Sequence, residues 1–174
     1  MYDVLVLVEE ELSRPDAERL VDLYAGTPEP VRFHLIVPSE DAHAQVEASL
    51  AGIAGSDPFG MTGPRYAMRP DDDVHRAADE AQRAADAHAT AALERGVGRL
   101  RAAGREADGH ITRRHPVDEL VDSIQRIHGR EVVVLTRPHV IAELLHVDWS
   151  AQARRHLGVP VLHLLEQHPE DAPV

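Results

Sequence analysis

Two short runs of consecutive apolar residues constrain the fold of this 174-residue chain more than any other feature. One is Val-Leu-Val-Leu-Val at residues 4–8, and the other is Val-Val-Val-Leu at residues 132–135. A strand that faces solvent on one side alternates polar and apolar residues, whereas a strand covered on both faces does not. Each run therefore predicts a central strand of a parallel sheet with helices on both faces.

Three further stretches complete the predicted set of strands. Residues 31–37 and 161–165 are mostly apolar and are bounded by Pro or Gly, as strands between turns are. Residues 110–115 alternate only weakly between polar and apolar, so this strand has the least support. Helical patterns separate the strands, and this alternation of strand and helix is typical of a parallel sheet.

Apolar residues recur at helical spacing between the predicted strands. Residues 117–127 form the clearest stripe, with Pro116 at the first turn and Gly129 after the last. A second helix begins near Pro15, and a long helix rich in Ala, Arg and Glu is predicted over residues 71–103.

The chain shows no linker that would separate two domains. Residues 55–70 are rich in Gly and Pro and are predicted to form a loop. We expect a single domain over residues 1–166, followed by a flexible tail at residues 167–174.

Composition excludes several classes of partner and chemistry. The chain has 18 basic residues, all of them Arg, against 30 acidic residues, so the net charge is −12. Because phosphate backbones bind basic surfaces, we expect no nucleic-acid partner. The absence of Lys and Cys excludes Schiff-base, thiol and disulfide chemistry. No apolar run approaches the length of about 20 residues that a membrane helix needs, so we expect a soluble cytoplasmic protein with no membrane partner.

The C-terminal half resembles the universal stress protein family. The predicted helix at residues 116–128, the strand at 132–135, a polar loop, a further helix and Gly-Val-Pro-Val-Leu at residues 158–162 are similar to that family's last αβαβ segment. The resemblance implies an α/β fold with an open five-stranded parallel sheet in the order 3-2-1-4-5 and helices on both faces. Such a sheet is Rossmann-like, of the adenine nucleotide alpha hydrolase type, with the two apolar runs adjacent at its centre.

The same resemblance implies a homodimer. Family members often pair their last strand with its copy across a two-fold axis. Here that strand would be an apolar free edge, which promotes aggregation unless it is paired or covered. The predicted interface comprises Val161, Leu162, His163, Leu164 and Leu165.

The family's nucleotide-binding branch carries a glycine motif after the fourth strand, which brings backbone N–H groups close to phosphates. Its four marked positions fall here on Leu135, Pro138, Asp148 and Trp149, none of which matches the motif. Near the end of the first strand, where members often have an Asp that contacts the nucleoside, this chain has Glu9. The resemblance therefore implies no ATP binding in the family's manner, and we expect no cofactor.

Polar residues follow the fourth predicted strand, where ligands bind in open α/β sheets. Arg137 could hold an anion and His139 could transfer a proton, with Thr136 beside them. Asp148 precedes a helical run, and Glu9 begins an acidic run after the first strand. These five are the candidate ligand-binding residues. Their plainer interpretations are a polar turn, a helix cap and a solvated charge run.

Three functions remain open at this point. The leading hypothesis is a non-catalytic regulatory or binding protein that acts as a homodimer, and the alternative is a nucleotide or small-anion binder in a cleft rebuilt around Arg137 and His139. A hydrolase or transferase needs a nucleophile beside a base. No such pair occurs at fixed spacing, so we expect no catalytic residues. The 12 His residues are scattered, and we expect no metal site.

Overall fold

A computed structural model describes residues 1–39, 72–114, 116–136 and 157–167. The chain divides into two compact units, of which one comprises Met1–Pro38 with Ala89–Val174 and the other comprises Ser39–His88. The residues of the candidate sites all belong to the first unit. The single domain proposed for residues 1–166 stays a prediction.

Five parallel strands form one sheet in the order β3-β2-β1-β4-β5, which confirms the predicted topology. The strands are β1 (Tyr2–Val8), β2 (Val31–Pro38), β3 (Glu106–Thr112), β4 (Glu131–Thr136) and β5 (Val161–Leu165). The two uninterrupted apolar runs lie side by side, with Leu5 opposite Val132. Both strands are buried almost throughout, as their lack of alternation predicted.

Three helices are described: α1 (Arg14–Leu23), α2 (Asp72–Ala102) and α3 (Pro116–Ile127). Helix α1 begins after the N-cap Ser13, whose hydroxyl accepts a hydrogen bond from the Asp16 amide at 3.2 Å. None of the described helices has an apolar stretch long enough to cross a membrane.

The two faces of the sheet carry separate apolar clusters. Helices α1 and α2 pack on one face, and we call it the α1–α2 face. Its buried side chains alternate along the strands and come from Val4, Val6, Val8, Phe33, Leu35, Val133 and Leu135. Helix α3 packs on the other face, the α3 face. There the buried apolar side chains come from Leu5, Leu7, Ile36, Val132, Val134, Leu120 and Ile124.

Strand β3 differs from its prediction at both ends. It begins at Glu106 and ends at Thr112, whereas the sequence predicted residues 110–115. It is an edge strand with a partly exposed, polar pattern, so no apolar period marks its bounds.

The end of α3 also differs from the sequence prediction. His128 adopts the left-handed conformation (φ 56°), a position that usually favours Gly. Gly129 follows it, and a Cβ there would overlap the Leu5 side chain, so this glycine serves a close approach.

We predict that Gly109→Ala is strongly destabilising. A Cβ on Gly109 would overlap the Leu35 carbonyl oxygen of the neighbouring strand. Because that oxygen belongs to the backbone of the sheet, it cannot move aside as the end of a flexible side chain can. We expect a loss of about 2–3 kcal/mol in the free energy of unfolding, as is typical of overpacking.

The control is Gly98→Ala, at a position in α2 where an added Cβ meets nothing within 4 Å. It should gain up to about 1 kcal/mol, because Ala is the better helix former. Urea unfolding measures both variants, and equal stability of the two would contradict the close contact at Gly109.

Candidate functional site

The topology places a crevice where the strand order reverses, between β1 and β4. Ligands of open α/β sheets bind outside the carboxyl ends of the strands at such a point. Here β1 ends at Val8 and β4 ends at Thr136. The amide of Glu9 donates to the Leu135 carbonyl at 3.2 Å, so the chain leaves β1 alongside the end of β4. The fold thus brings two predicted site residues, Glu9 and Thr136, to one edge of the sheet.

Thr136 is buried, and it links β4 to β5. Its hydroxyl shares a 2.7 Å hydrogen bond with Nε2 of His163, and its carbonyl accepts from the Glu166 amide at 2.9 Å. The other predicted site residues, Arg137, His139 and Asp148, lie outside the described residues, and so do Pro138 and Trp149.

The acidic run after β1 divides into residues with different roles. Glu11 turns to α2, where its carboxylate accepts hydrogen bonds from Arg95 at 2.6 Å and from Arg99 at 2.5 Å. The bond from Arg95 does most to hold the pKa of Glu11 at about 2, with burial opposing and Arg99 assisting. Glu11 therefore fastens the segment after β1 to α2, which leaves Glu9 as the member of the run at the crevice.

A buried carboxylate, that of Asp16, holds the segment after β5 in place. Asp16, in the first turn of α1, is fully buried. It accepts a 2.6 Å hydrogen bond from the Ser13 hydroxyl, and its two oxygens accept the Gln167 amide at 3.2 and 3.1 Å. The segment that follows β5 is therefore bonded to the first turn of α1.

A cluster that the sequence analysis missed lies on the α3 face across β1, β2 and β3. His34 sits between two carboxylates, with Nε2 at 2.9 Å from Asp3 Oδ1 and Nδ1 bonded to Asp108 Oδ1. Arg32 also donates to Asp3 Oδ1, at 2.7 Å. Burial raises the pKa of Asp3, but the bonds from His34 and Arg32 outweigh it and leave that pKa below its ordinary value.

A second missed cluster joins β3 to α3. Glu119 is buried, and its Oε1 accepts from His110 Nε2 at 2.8 Å and from the Ser123 hydroxyl at 3.0 Å. Thr112 donates to Oε2 at 3.3 Å, and Arg126 approaches Oε1 at 3.5 Å. Burial opposes ionisation of Glu119, but the hydrogen bonds from His110 and Ser123 prevail and lower its pKa.

The two clusters border one cavity on the α3 face, with a volume of about 350 Å³. His34 and Asp108 line it on the sheet side, and Arg126 and Ile127 line it on the helix side. Among the residues that the structure describes, no group of three or more His, Cys, Asp or Glu is arranged to hold a metal ion.

One sequence signal could have indicated these clusters. Asp108, His110 and Thr112 occur at alternate positions, which places three polar side chains on one face of a strand. Asp108 pairs with His34, which the register of β2 and β3 places beside it. His110 and Thr112 pair with Glu119, which the packing of α3 on the sheet places beside them.

Comparison with known proteins supports the fold. No protein-family model matches the chain, and no curated protein matches it by sequence. Among solved structures, it is similar to a universal stress protein family protein from Arabidopsis thaliana with AMP bound, at 15% identity and a TM-score of 0.54, with 99% of this chain and 96% of that chain covered.

Two further solved structures are similar over most of their length. Hypothetical protein MJ0577 has 12% identity and a TM-score of 0.52, with 95% of this chain and 96% of that chain covered. A universal stress protein from Archaeoglobus fulgidus has 16% identity and a TM-score of 0.46, with 94% and 93% covered. The likeness to the Arabidopsis protein, together with the strand order, shows that this chain has the universal stress protein fold.

We predict that Glu11→Gln destabilises the protein at pH 7 and that the loss shrinks on acidification. The folded-state pKa is depressed to about 2, so the carboxylate stabilises the fold above its ordinary value of 4.5 and loses this effect as the pH falls towards 2. Because the side chain is 32% exposed, we expect a cost of only about 1 kcal/mol at pH 7.

The control for Glu11→Gln is Glu18→Gln, which removes the exposed ion pair between Glu18 and Arg14 at 3.0 Å. It should cost less than about 0.5 kcal/mol at any pH. Urea unfolding at pH 7 and pH 3 separates the two variants. A cost of Glu11→Gln that is equal at both pH values would contradict the assigned ion pairs.

Proposed function

We propose that this chain is a divergent universal stress protein that acts as a non-catalytic, homodimeric regulator. In this proposal it binds the nucleoside part of a nucleotide at the crevice between β1 and β4 and does not hold a triphosphate there. The observation that carries the proposal is the convergence of Glu9 and Thr136 at the point where the strand order reverses.

The chemistry of Glu9 suits a nucleoside. A carboxylate at the end of a strand accepts hydrogen bonds from ribose hydroxyls, and dinucleotide-binding sheets use an acidic residue in this way. Glu9 is partly buried at the end of β1, and its amide is bonded to Leu135. The solved Arabidopsis structure with the same fold has AMP bound, which supports a ligand of this class.

The end of β4 is poorly suited to phosphates. Leu135 stands where the family's motif begins with Gly, and its side chain is fully buried in the cluster on the α1–α2 face. Its carbonyl is occupied by the Glu9 amide. Pro138 has no N–H to offer a phosphate, and the carboxylate of Asp148 would repel one. The nucleoside is therefore the part of the ligand that we expect this protein to recognise.

The homodimer is proposed through β5, which is an edge strand of the described sheet. Leu165 is 41% exposed there. The Glu166 amide and the Pro160 carbonyl bond to β4, so alternation along the strand directs the N–H groups of His163 and Leu165 outwards. A second copy of β5 would satisfy these groups and cover Leu165.

We predict that AMP binds to the wild-type protein and that ATP binds no more tightly than AMP. Glu9→Ala should weaken AMP binding about tenfold or more, because it removes a charged acceptor worth about 1.5–3 kcal/mol. Isothermal titration calorimetry measures these affinities. The matched control is Glu10→Ala, which changes the next, exposed residue of the same run and should alter the affinity little.

Two results would contradict this assignment. The first is an absence of AMP binding at millimolar concentration. The second is ATP binding at least ten times tighter than AMP binding. Loss of AMP binding in Arg137→Ala with no effect of Glu9→Ala would instead favour the anion-binding alternative.

We predict that Leu165→Pro converts the dimer to a monomer. Proline removes an outward N–H group while the bonds to β4 remain, since those use the neighbouring residue. The control Leu165→Ala keeps the N–H group and should remain largely dimeric. Multi-angle light scattering at micromolar concentration gives the mass of each variant. A monomeric wild type, or a dimeric Leu165→Pro variant, would refute the interface.

A further inference from the structure

Two basic side chains border the cavity on the α3 face with hydrogen-bonding capacity to spare. His110 uses Nε2 for Glu119, and its side chain is 39% exposed. Arg126 uses Nη2 for Ser123 at 2.7 Å, and its side chain is 59% exposed. Among the described residues, neither His110 Nδ1 nor the Nε and Nη1 atoms of Arg126 have a hydrogen-bond partner. Because Nε2 of His110 donates to a carboxylate, its Nδ1 is an acceptor, so the cavity is bordered by an acceptor from β3 and by donors from α3.

A buried carboxylate fixes the position of both the His110 and the Arg126 side chains. Glu119 is only 6% exposed, and it takes hydrogen bonds from His110 and Ser123 on the same oxygen. Ser123, 2% exposed, in turn accepts from Arg126. Removing a carboxylate from water costs free energy, and the side chains of an ordinary solvated surface do not require such a buried group. This arrangement holds a guanidinium, which can bind an anion, beside an imidazole nitrogen that can accept a hydrogen bond.

We propose that this cavity is a second ligand site, which binds a small molecule through a carboxylate or phosphate group held by Arg126 and a hydroxyl group that donates to Nδ1 of His110. The site is separate from the crevice at Glu9 and Thr136, because its residues lie along the middle of β2 and β3 and on α3. The proposal therefore does not depend on nucleoside binding.

The rest of the lining defines the ligand further. A volume of about 350 Å³ lies at the small end of the range for ligand pockets, about 300–1,000 Å³, which suits a small metabolite. Asp108 uses Oδ1 for His34, and its side chain, which is 55% exposed, lines the cavity as a further acceptor. Ile36 and Ile127 supply apolar contact. A hydroxy acid or a sugar phosphate has the matching anion and hydroxyl.

The experiment titrates the full-length protein with two probes, inorganic phosphate and glycolate, by calorimetry at fixed ionic strength near 0.15 M. Fixed salt matters because the net charge of −12 repels anions over distances that salt screens. We expect one site per chain, and the probe with the higher affinity identifies the ligand class. Arg126→Gln should weaken binding about tenfold or more, because it removes a charged donor. His110→Gln should weaken binding a few fold, because it removes the acceptor of the ligand's hydroxyl group.

The matched control is Arg130→Gln. Arg130 is 55% exposed and pairs with Glu29 at 3.6 Å, so it resembles Arg126 in exposure but lies outside the cavity. It should bind both probes as the wild type does. Equal binding by all three variants, or no binding of either probe to the wild type at millimolar concentration, would overturn the proposal.

A second measurement needs no variant. Amide chemical shifts of the wild-type protein, followed by NMR during the same titrations, should change at Gly109, His110, Ser123 and Ile127, which line the cavity. Changes confined to residues elsewhere would overturn the proposal even if calorimetry detected heat. Shift changes at Glu9 and Thr136 alone would assign the probe to the crevice between β1 and β4.

Discussion

The burial of β1 on every side is the constraint from which the rest of the architecture follows. This strand pairs with β2 and with β4, and its side chains alternate between two apolar clusters that belong to different helices. A parallel strand needs a crossover connection on each side, so helices must cover both faces. The reversal of direction beside β1 also creates the crevice at which Glu9 and Thr136 meet. The position of one strand thus determines the layers and the location of the crevice.

The central elements were predictable from the sequence, and the edge elements less so. Residues 4–8 and 132–135 were predicted as interior strands because each run is short and apolar throughout. Strand β5 was predicted with its observed bounds. Strand β3 was placed four residues late, because an edge strand with polar side chains lacks a strong hydrophobic period. Glu9 and Thr136 could be placed near the crevice from the sequence, because the carboxyl ends of β1 and β4 lie there in any sheet with this strand order. Arg137, His139 and Asp148 remain predictions from the sequence.

The sequence analysis missed the polar clusters on the α3 face for two different reasons. The members of the first cluster are far apart in the chain, whereas those of the second lie within residues 110–126 but on two elements that meet only when α3 packs on the sheet. Asp3, His34 and Asp108 belong to three strands, and only the register of two strand pairs makes them neighbours. In the sequence, Glu119 resembles an exposed residue on the surface of a helix. Its burial follows only from the packing of α3 on the sheet. Buried carboxylates recur in this protein, at Asp16 and Glu119, and each has several donors, as the cost of desolvation requires.

The bond between Asp16 and the Gln167 amide has a kinetic consequence. It closes a connection across 151 positions of the chain and links the last described strand to the first turn of α1. Hydrogen exchange at the Gln167 amide requires this bond to break, so protection of that amide reports how firmly the segment after β5 is held against α1. Proteolysis at Gln167 likewise needs the backbone to be released from Asp16, so the same bond slows cleavage there.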